Sequence, residues 1–220
     1  MMADLHVHST YSGDCDLKVE AILEKCKSLS IRVVSIVDHN SLEGTMRALA
    51  IKQDDVIVLP GIEITSNGGH VIAYNIEEII PRGKSVEETI DLIHDHGGIA
   101  AAPHPYRLWS GLGRKEIIGK KFDVIETINA RSSSRSNLKA KKLLEIVNCG
   151  EIGGSDAHSL SHIGKGYTIF PDHCENADDL VKEILNKRTK AGGVSRKFSD
   201  SLSYGAKCIS EWLARGMKRL

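Results

Sequence analysis

"DLHVHS", residues 4–9, sets an acid and two histidines among apolar residues almost at the start of the chain. In an extended segment, residues i and i+2 point to the same side. Asp4, His6 and His8 then share one face, and Leu5 and Val7 share the other. The stretch reads as a strand. A polar, solvated edge strand would produce this pattern, and so would two imidazoles converging on a common partner. The rest of the chain decides between them.

Outward from this segment, short apolar runs rich in β-branched residues recur: "IRVVSIVD" (31–38), "VIVLPGIEIT" (56–65), "HVIAYNI" (70–76), "GIAAAPHP" (98–105), "FDVIETIN" (122–129) and "EIGGSD" (151–156). Helical patterns lie between them. Leu17, Ile22, Leu23, Cys26 and Leu29 form one stripe, and residues 136–148 and 177–187 repeat the pattern. "SVEETIDLIHDHGG" (85–98) opens on Ser85, has Glu88 three residues later and closes on glycines, which predicts a capping box and a stop. Alternating strands and helices predict one parallel α/β domain over residues 1–220. Residues 188–204 read as a loop, and "GAKCISEWLARGMKRL" (205–220) reads as a helix closing the domain, so closing helices fall at about 177–219.

Composition narrows the function. The chain has 220 residues, with 29 basic and 29 acidic side chains, so it lacks the electrostatic footprint of a duplex nucleic-acid binder. The five cysteines, Cys15, Cys26, Cys149, Cys174 and Cys208, are odd in number and form no Cys-x-x-Cys pair. They read as reduced, packed thiols. No apolar run reaches membrane-spanning length, and the first strand leaves no room for a signal peptide. The expectation is a cytoplasmic protein with no membrane partner.

Polar residues fall at strand ends. Asp38 and His39 close the second strand, Glu63 lies near the end of the next, and His70 opens the one after the "SNGG" turn. His104 ends "IAAAPHP", Glu126 lies in "DVIETIN", and Asp156 and His158 end "IGGSDAH". In a parallel barrel the C-terminal strand ends share one rim, where such groups meet. Burying them unpaired would be costly. Divalent cations would supply the partners, since imidazole and carboxylate suit zinc, manganese and iron, and Glu63 could bridge two ions.

The ordered motifs "DLHVHS", "IVDHN", "GIEIT" followed by His70, "APHPY" and "GSDAH" span residues 4–158 and resemble the PHP family, named for polymerase and histidinol phosphatase. The resemblance implies a distorted (βα)7 TIM-like barrel holding two or three divalent ions (Zn, Mn or Fe). By resemblance, His6, His8, Glu63 and Asp156 surround one ion, and Glu63, His70 and His104 hold a second. Asp14 joins His39 and His158 at a third. "YSGDCD" departs from the family's usual Ser-Asp-Gly and offers both Asp14 and Asp16. Spacing favours Asp14 as ligand, leaving Asp16 as a helix N-cap. Asp4, Asp38 and Glu126 are expected to orient ligand imidazoles through their other ring nitrogen. His94 and His96 fall at a helix end, and His162 and His173 fall in loops, with His162 near enough to the last motif to touch substrate.

The family's chemistry implies a phosphoesterase that hydrolyses a small phosphorylated metabolite or nucleotide through a metal-activated hydroxide. Glu63, His39, His158 and Arg131 are the expected catalytic residues, with His39 or His158 protonating the leaving group. Arg131, in "INARSSS", suits bidentate grip on phosphate, with Arg107 and Lys165 as weaker candidates. A 3′–5′ exonuclease trimming a short oligonucleotide is the alternative within the family, although few aromatics argue against a long nucleic-acid track. A non-catalytic scaffold is the alternative of a different class.

Overall fold

A computed structural model describes residues 1–52 and 55–196. Their element order is β1 (Met2–Val7), α1 (Val19–Ser28), β2 (Val33–Ile36), α2 (Glu43–Ala50), β3 (Ile57–Val58), β4 (Gly61–Thr65), β5 (His70–Tyr74), α3 (Val86–Asp95), β6 (Ile99–Ala102), β7 (Val124–Asn129), α4 (Ser134–Leu144), β8 (Gly150–Gly154), β9 (Gly166–Ile169), α5 (Ala177–Leu185) and β10 (Lys190–Gly193). The strands form two five-stranded sheets, ordered β10-β9-β1-β2-β3 and β4-β5-β6-β7-β8. "DLHVHS" thus begins in a central strand, which removes the edge-strand reading.

The fold is mixed α/β, and it departs from a wholly parallel arrangement. β1–β2, β2–β3, β6–β7 and β7–β8 pair in parallel, whereas β4–β5 and β5–β6 pair antiparallel. The turn between Thr65 and His70 is far too short for a parallel crossover, which needs a dozen or more residues. The ladders do not run continuously around the molecule. The sheets meet instead at isolated parallel bridges, Val7 with Ala157 and His39 with Glu63.

Three local differences have simple causes. The run predicted over 56–65 is broken into β3 and β4 around Pro60, which has no N–H to donate to a ladder. β10 lies within the stretch expected to be loop, and it pairs antiparallel with β9 through backbone bonds that its small residues permit. α2 follows "DHNS"; its N-cap residue, Leu42, offers no side-chain acceptor, and the Ser41 hydroxyl accepts the Glu43 N–H at 3.2 Å instead. The closing helix expected over 205–220, and Cys208, lie outside the described residues. Cys15, Cys26, Cys149 and Cys174 are free thiols. Among the described residues, no helix is long and apolar enough to cross a membrane.

The expected capping box is present on α3, with the Ser85 side chain accepting from the Glu88 N–H at 3.1 Å and the Glu88 carboxylate accepting from the Ser85 N–H at 3.0 Å. The core is built from Val, Ile and Leu side chains of the strands packed against the helices; Ile62, Ile64, Val71 and Ile90 belong to one such cluster. Behind the strand ends, two glycines allow backbones to stack. A Cβ at Gly154 would run into the Cβ of His6, and one at Gly166 into the Gly154 carbonyl.

Candidate metal centre

His6 lies on β1, Glu63 on β4 and His70 on the first position of β5. The antiparallel register pairs His70 with Thr65, so the start of β5 reaches the rim where β4 ends. His8, Asp14, His39, His104, Asp156 and His158 sit in the segments just past β1, β2, β6 and β8. Connections of this kind carry functional groups on a rigid scaffold.

Glu63 is the hub. Its Oε2 lies 3.2 Å from His39 Nδ1, 3.3 Å from His8 Nε2 and 3.6 Å from His6 Nε2. Its Oε1 lies 3.0 Å from both His70 Nδ1 and His104 Nε2. Asp156 forms a second centre, 3.7 Å from His8 Nε2 and from His158 Nδ1, and 3.8 Å from His6 Nε2. Asp14 closes the third side, 2.8 Å from His158 Nε2 and 3.8 Å from His39 Nε2. All nine side chains expected as ligands therefore meet in one buried cleft. Asp16 is exposed, and the N-cap of α1 is Lys18, with no side-chain cap bond.

Several charge states suit a cation, with His6 as the exception: burial opposes its charge, yet the carboxylates of Glu126, Asp156 and Glu63 hold it well above the ordinary imidazole range. Burial pushes His39 well below its ordinary pKa. Burial together with the positive charges of Arg107 and Arg131 brings His104 and His158, respectively, down to about 4. These imidazoles are neutral and offer lone pairs. Burial opposes ionisation of Glu63 and Asp156, yet the imidazoles around Glu63, and the arginines and His6 beside Asp156, hold both well below the usual carboxylate range. Asp14 Oδ1 and His104 Nδ1 are buried without a hydrogen-bond partner, and His39 Nδ1, although 3.2 Å from Glu63 Oε2, makes no aligned hydrogen bond to it. Buried polar atoms are normally satisfied, and a divalent ion taking nitrogen and oxygen donors fits this set. Asn40, His104 and Asp156 hold positive φ of 54°, 26° and 53°. Such strain concentrates at functional sites.

The residues behind the cleft only partly follow expectation. Glu126 does orient an imidazole: its Oε1 lies 3.0 Å from His6 Nδ1, while its Oε2 accepts the His104 N–H at 2.7 Å and an Asn129 Nδ2–H at 2.9 Å. Asp4 and Asp38 do not. Asp4 accepts backbone N–H bonds from Ser155 at 2.9 Å and Gly164 at 2.8 Å, and burial raises it to about 6 despite them. Asp38 accepts the N–H and O–H of Ser9, both at 2.6 Å. Both acids hold loops by accepting backbone N–H groups.

Arg131 donates to Asp156 Oδ1 at 2.8 Å and stands beside His158. Arg107 reaches equally far in, donating to Asp156 Oδ2 at 2.5 Å and Asn129 Oδ1 at 2.8 Å. Lys165 is exposed, and its side chain makes no ion pair with the cleft among the described residues. His94 bonds Asp123 and His96 bonds the Leu92 carbonyl, outside the cleft. His162 and His173 are exposed. Two contributors were not anticipated. Ser12 Oγ lies 3.0 Å from His8 Nδ1, and Asn129 Nδ2 donates to Asp156 Oδ2 at 3.1 Å. Only the position of Asn129 at the end of a strand could have signalled it.

The PHP-associated family model matches residues 134–189. The chain is 35% identical over 159 residues to the uncharacterized protein MJ1587 of Methanocaldococcus jannaschii, covering 66% of this chain and 92% of that protein. It is also 35% identical over 198 residues to MJ0417 of the same organism, covering 84% and 78% respectively. PsfC from Pseudomonas syringae superposes with a TM-score of 0.69 at 16% identity, covering 96% of this chain and 98% of that one. A two-domain protein from Bacteroides vulgatus, containing a predicted PHP-like metal-dependent phosphoesterase, superposes at 0.67 and 16% identity, over 88% of this chain and 65% of that one. The lesion-specific endonuclease PfuEndoQ from Pyrococcus furiosus gives 0.67 at 17% identity, over 93% and 66%. The chain spans slightly less than two thirds of the last two, and at these identities the likeness is one of fold. Taken with the two relatives in sequence, the matched C-terminal segment and the convergence on Glu63 and Asp156, these similarities lead to one conclusion: the chain belongs to the PHP family.

Proposed function

We propose that this protein is a divalent-metal-dependent hydrolase of phosphoester bonds, acting on a small phosphorylated metabolite or nucleotide. The observation that carries this reading is the convergence of imidazoles and carboxylates on Glu63 and Asp156, with two guanidiniums at the same carboxylate. In this reading residues 1–220 form one domain, and β1, β2 and β4 to β8 wrap as a distorted (βα)7 barrel whose seams are the two isolated bridges.

His6, His8, Glu63 and Asp156 would hold one ion, Glu63, His70 and His104 a second, and Asp14, His39 and His158 a third. Such ions, when bound, make hydroxide available near neutral pH and neutralise charge on phosphoryl oxygens. The chain's own residues do the remainder. Arg107 and Arg131 grip the phosphate through paired N–H donors that never titrate. Glu126 fixes the ring of His6 and the backbone of His104 together. His39 and His158, held neutral by their surroundings, serve as ligands in preference to proton donors.

Metal analysis of protein purified without chelator, followed by assays on phosphomonoesters, phosphodiesters and a short oligonucleotide, tests the proposal. Two or three bound ions and phosphate release from monoesters are expected, with activity lost to chelator and restored by manganese or zinc. Mononucleotides from the oligomer would move the assignment to the trimming enzyme. That arm is included because Endonuclease Q, similar in fold, has been solved with a 27-mer duplex carrying an abasic lesion. Absence of both metal and turnover would leave the scaffold reading. Within the proposal, Glu126→Gln should weaken metal binding about tenfold to a hundredfold, read by metal titration, because it disturbs the support of a ligand and not the ligand itself.

A further inference from the structure

We propose that Asn129 is a positioning residue: it sets the guanidinium of Arg107, and the loop of Arg131, against Asp156, so that the metal-binding and phosphate-binding groups keep one geometry. The proposal rests on the phosphoesterase reading, in which phosphate meets both guanidiniums, and it names the residue that holds them in place. Asn129 is the last residue of β7, pairs with Gly154 of β8 and is fully buried. That register places it beside the segment carrying Asp156, two residues past the end of β8.

Both polar atoms of the amide are engaged. Nδ2 donates to Glu126 Oε2 at 2.9 Å and to Asp156 Oδ2 at 3.1 Å. Oδ1 accepts from Arg107 Nη2 at 2.8 Å, from the Arg131 N–H at 3.1 Å and from the Ser132 hydroxyl at 3.2 Å. Arg107 Nη2 also donates to Asp156 Oδ2, at 2.5 Å, which closes a ring of three side chains. Two acceptors on one guanidinium nitrogen fix the plane of the fork, since that nitrogen carries two hydrogens. Asn129 supplies one of those acceptors and donates to the other.

The residue type follows from its neighbours. Carboxylates lie on the Nδ2 side and a guanidinium on the Oδ1 side. Reversing the amide would set an NH2 group against the cation and an oxygen against two anions, so the surrounding charges hold one orientation. Aspartate would add a third anion beside Glu126 and Asp156, and a serine hydroxyl has one hydrogen for two carboxylates. The backbone is held too. The Asn129 N–H donates to Asn137 Oδ1 at 3.3 Å, and Asn137 Nδ2 donates to the Asn129 carbonyl at 3.0 Å. Asn129 thereby links a carboxylate of the metal centre to a guanidinium placed for phosphate.

Inorganic phosphate is the probe, titrated by calorimetry into wild type, Asn129→Ala, Arg107→Ala and the double variant, all compared at equal metal content. kcat/KM on a phosphomonoester is read in parallel. Asn129→Ala should weaken phosphate binding and lower kcat/KM by about tenfold to a hundredfold, the scale for losing a partner that orients a functional group. In the Arg107→Ala background the same change should cost at least about threefold less, because residues that act through one another are not additive. A purely structural role would cost the same in both backgrounds, and that result overturns the proposal. So does phosphate affinity that is unchanged in Asn129→Ala, or absent from wild type. Asn129→Ser repeats the cycle where Asn129→Ala does not fold, since its hydroxyl leaves a polar group among the buried charges. Wild type that binds phosphate with this coupling yet cleaves no ester would support the role of Asn129 and sink the phosphoesterase reading.

Discussion

Glu63→Ala is expected to abolish phosphoester turnover, lowering kcat/KM by at least about 10³-fold, equivalent to roughly 4 kcal/mol of transition-state stabilisation, and to leave the purified protein depleted of metal. Among the described residues, no other carboxylate in the cleft faces as many imidazoles. His6, His8 and His39 approach one Glu63 oxygen, and His70 and His104 the other. A carboxylate shared in this way links two groups of ligands, so its removal affects both. Glu63→Gln separates charge from shape: it fills the same volume and keeps one acceptor, yet lacks the negative charge that makes the cleft attractive to a dication. Both variants should lose metal by elemental analysis, with circular dichroism unchanged. Full metal content and turnover in Glu63→Gln would show that the hub is structural.

The second large effect belongs to the arginines. Arg107→Ala and Arg131→Ala should each reduce kcat/KM on a phosphomonoester by about 10² to 10³-fold, the scale seen when one preorganised donor to a developing anion is lost. Metal content should stay near that of wild type. Lysine at either position should restore little, since an ammonium cannot reproduce the planar fork. Inhibition by inorganic phosphate should weaken in parallel. Equal inhibition of wild type and both variants would show that the guanidiniums hold Asp156 alone.

The strand pattern and the α3 capping box were legible in the sequence because each depends on local spacing; most cleft residues stood out at strand ends, and Asp14 was suggested only by the resemblance to the PHP family. Alternation in "DLHVHS" predicted a shared face, and the order of the motifs predicted a shared rim. What stayed hidden depends on partners distant in sequence. Nothing in "HVIAYNI" reveals that β5 runs antiparallel, although the short Thr65–His70 turn constrains it. β10, Lys-Ala-Gly-Gly, has no hydrophobic signature and pairs with β9 through its backbone. The sequence favoured Arg131 over Arg107, and only the fold shows that both reach Asp156. Asp4 and Asp38 lie next to motif histidines, yet their geometry selects backbone donors.

The glycines behind β1 carry a consequence for how such an enzyme can be tuned. A methyl group at position 166 would press on residue 154, which in turn abuts the stem of His6. The seat of that imidazole is thus set in part from behind β1, by two positions that have no side chain of their own. Variation there would re-point a reactive centre while every residue of the chemistry stayed the same.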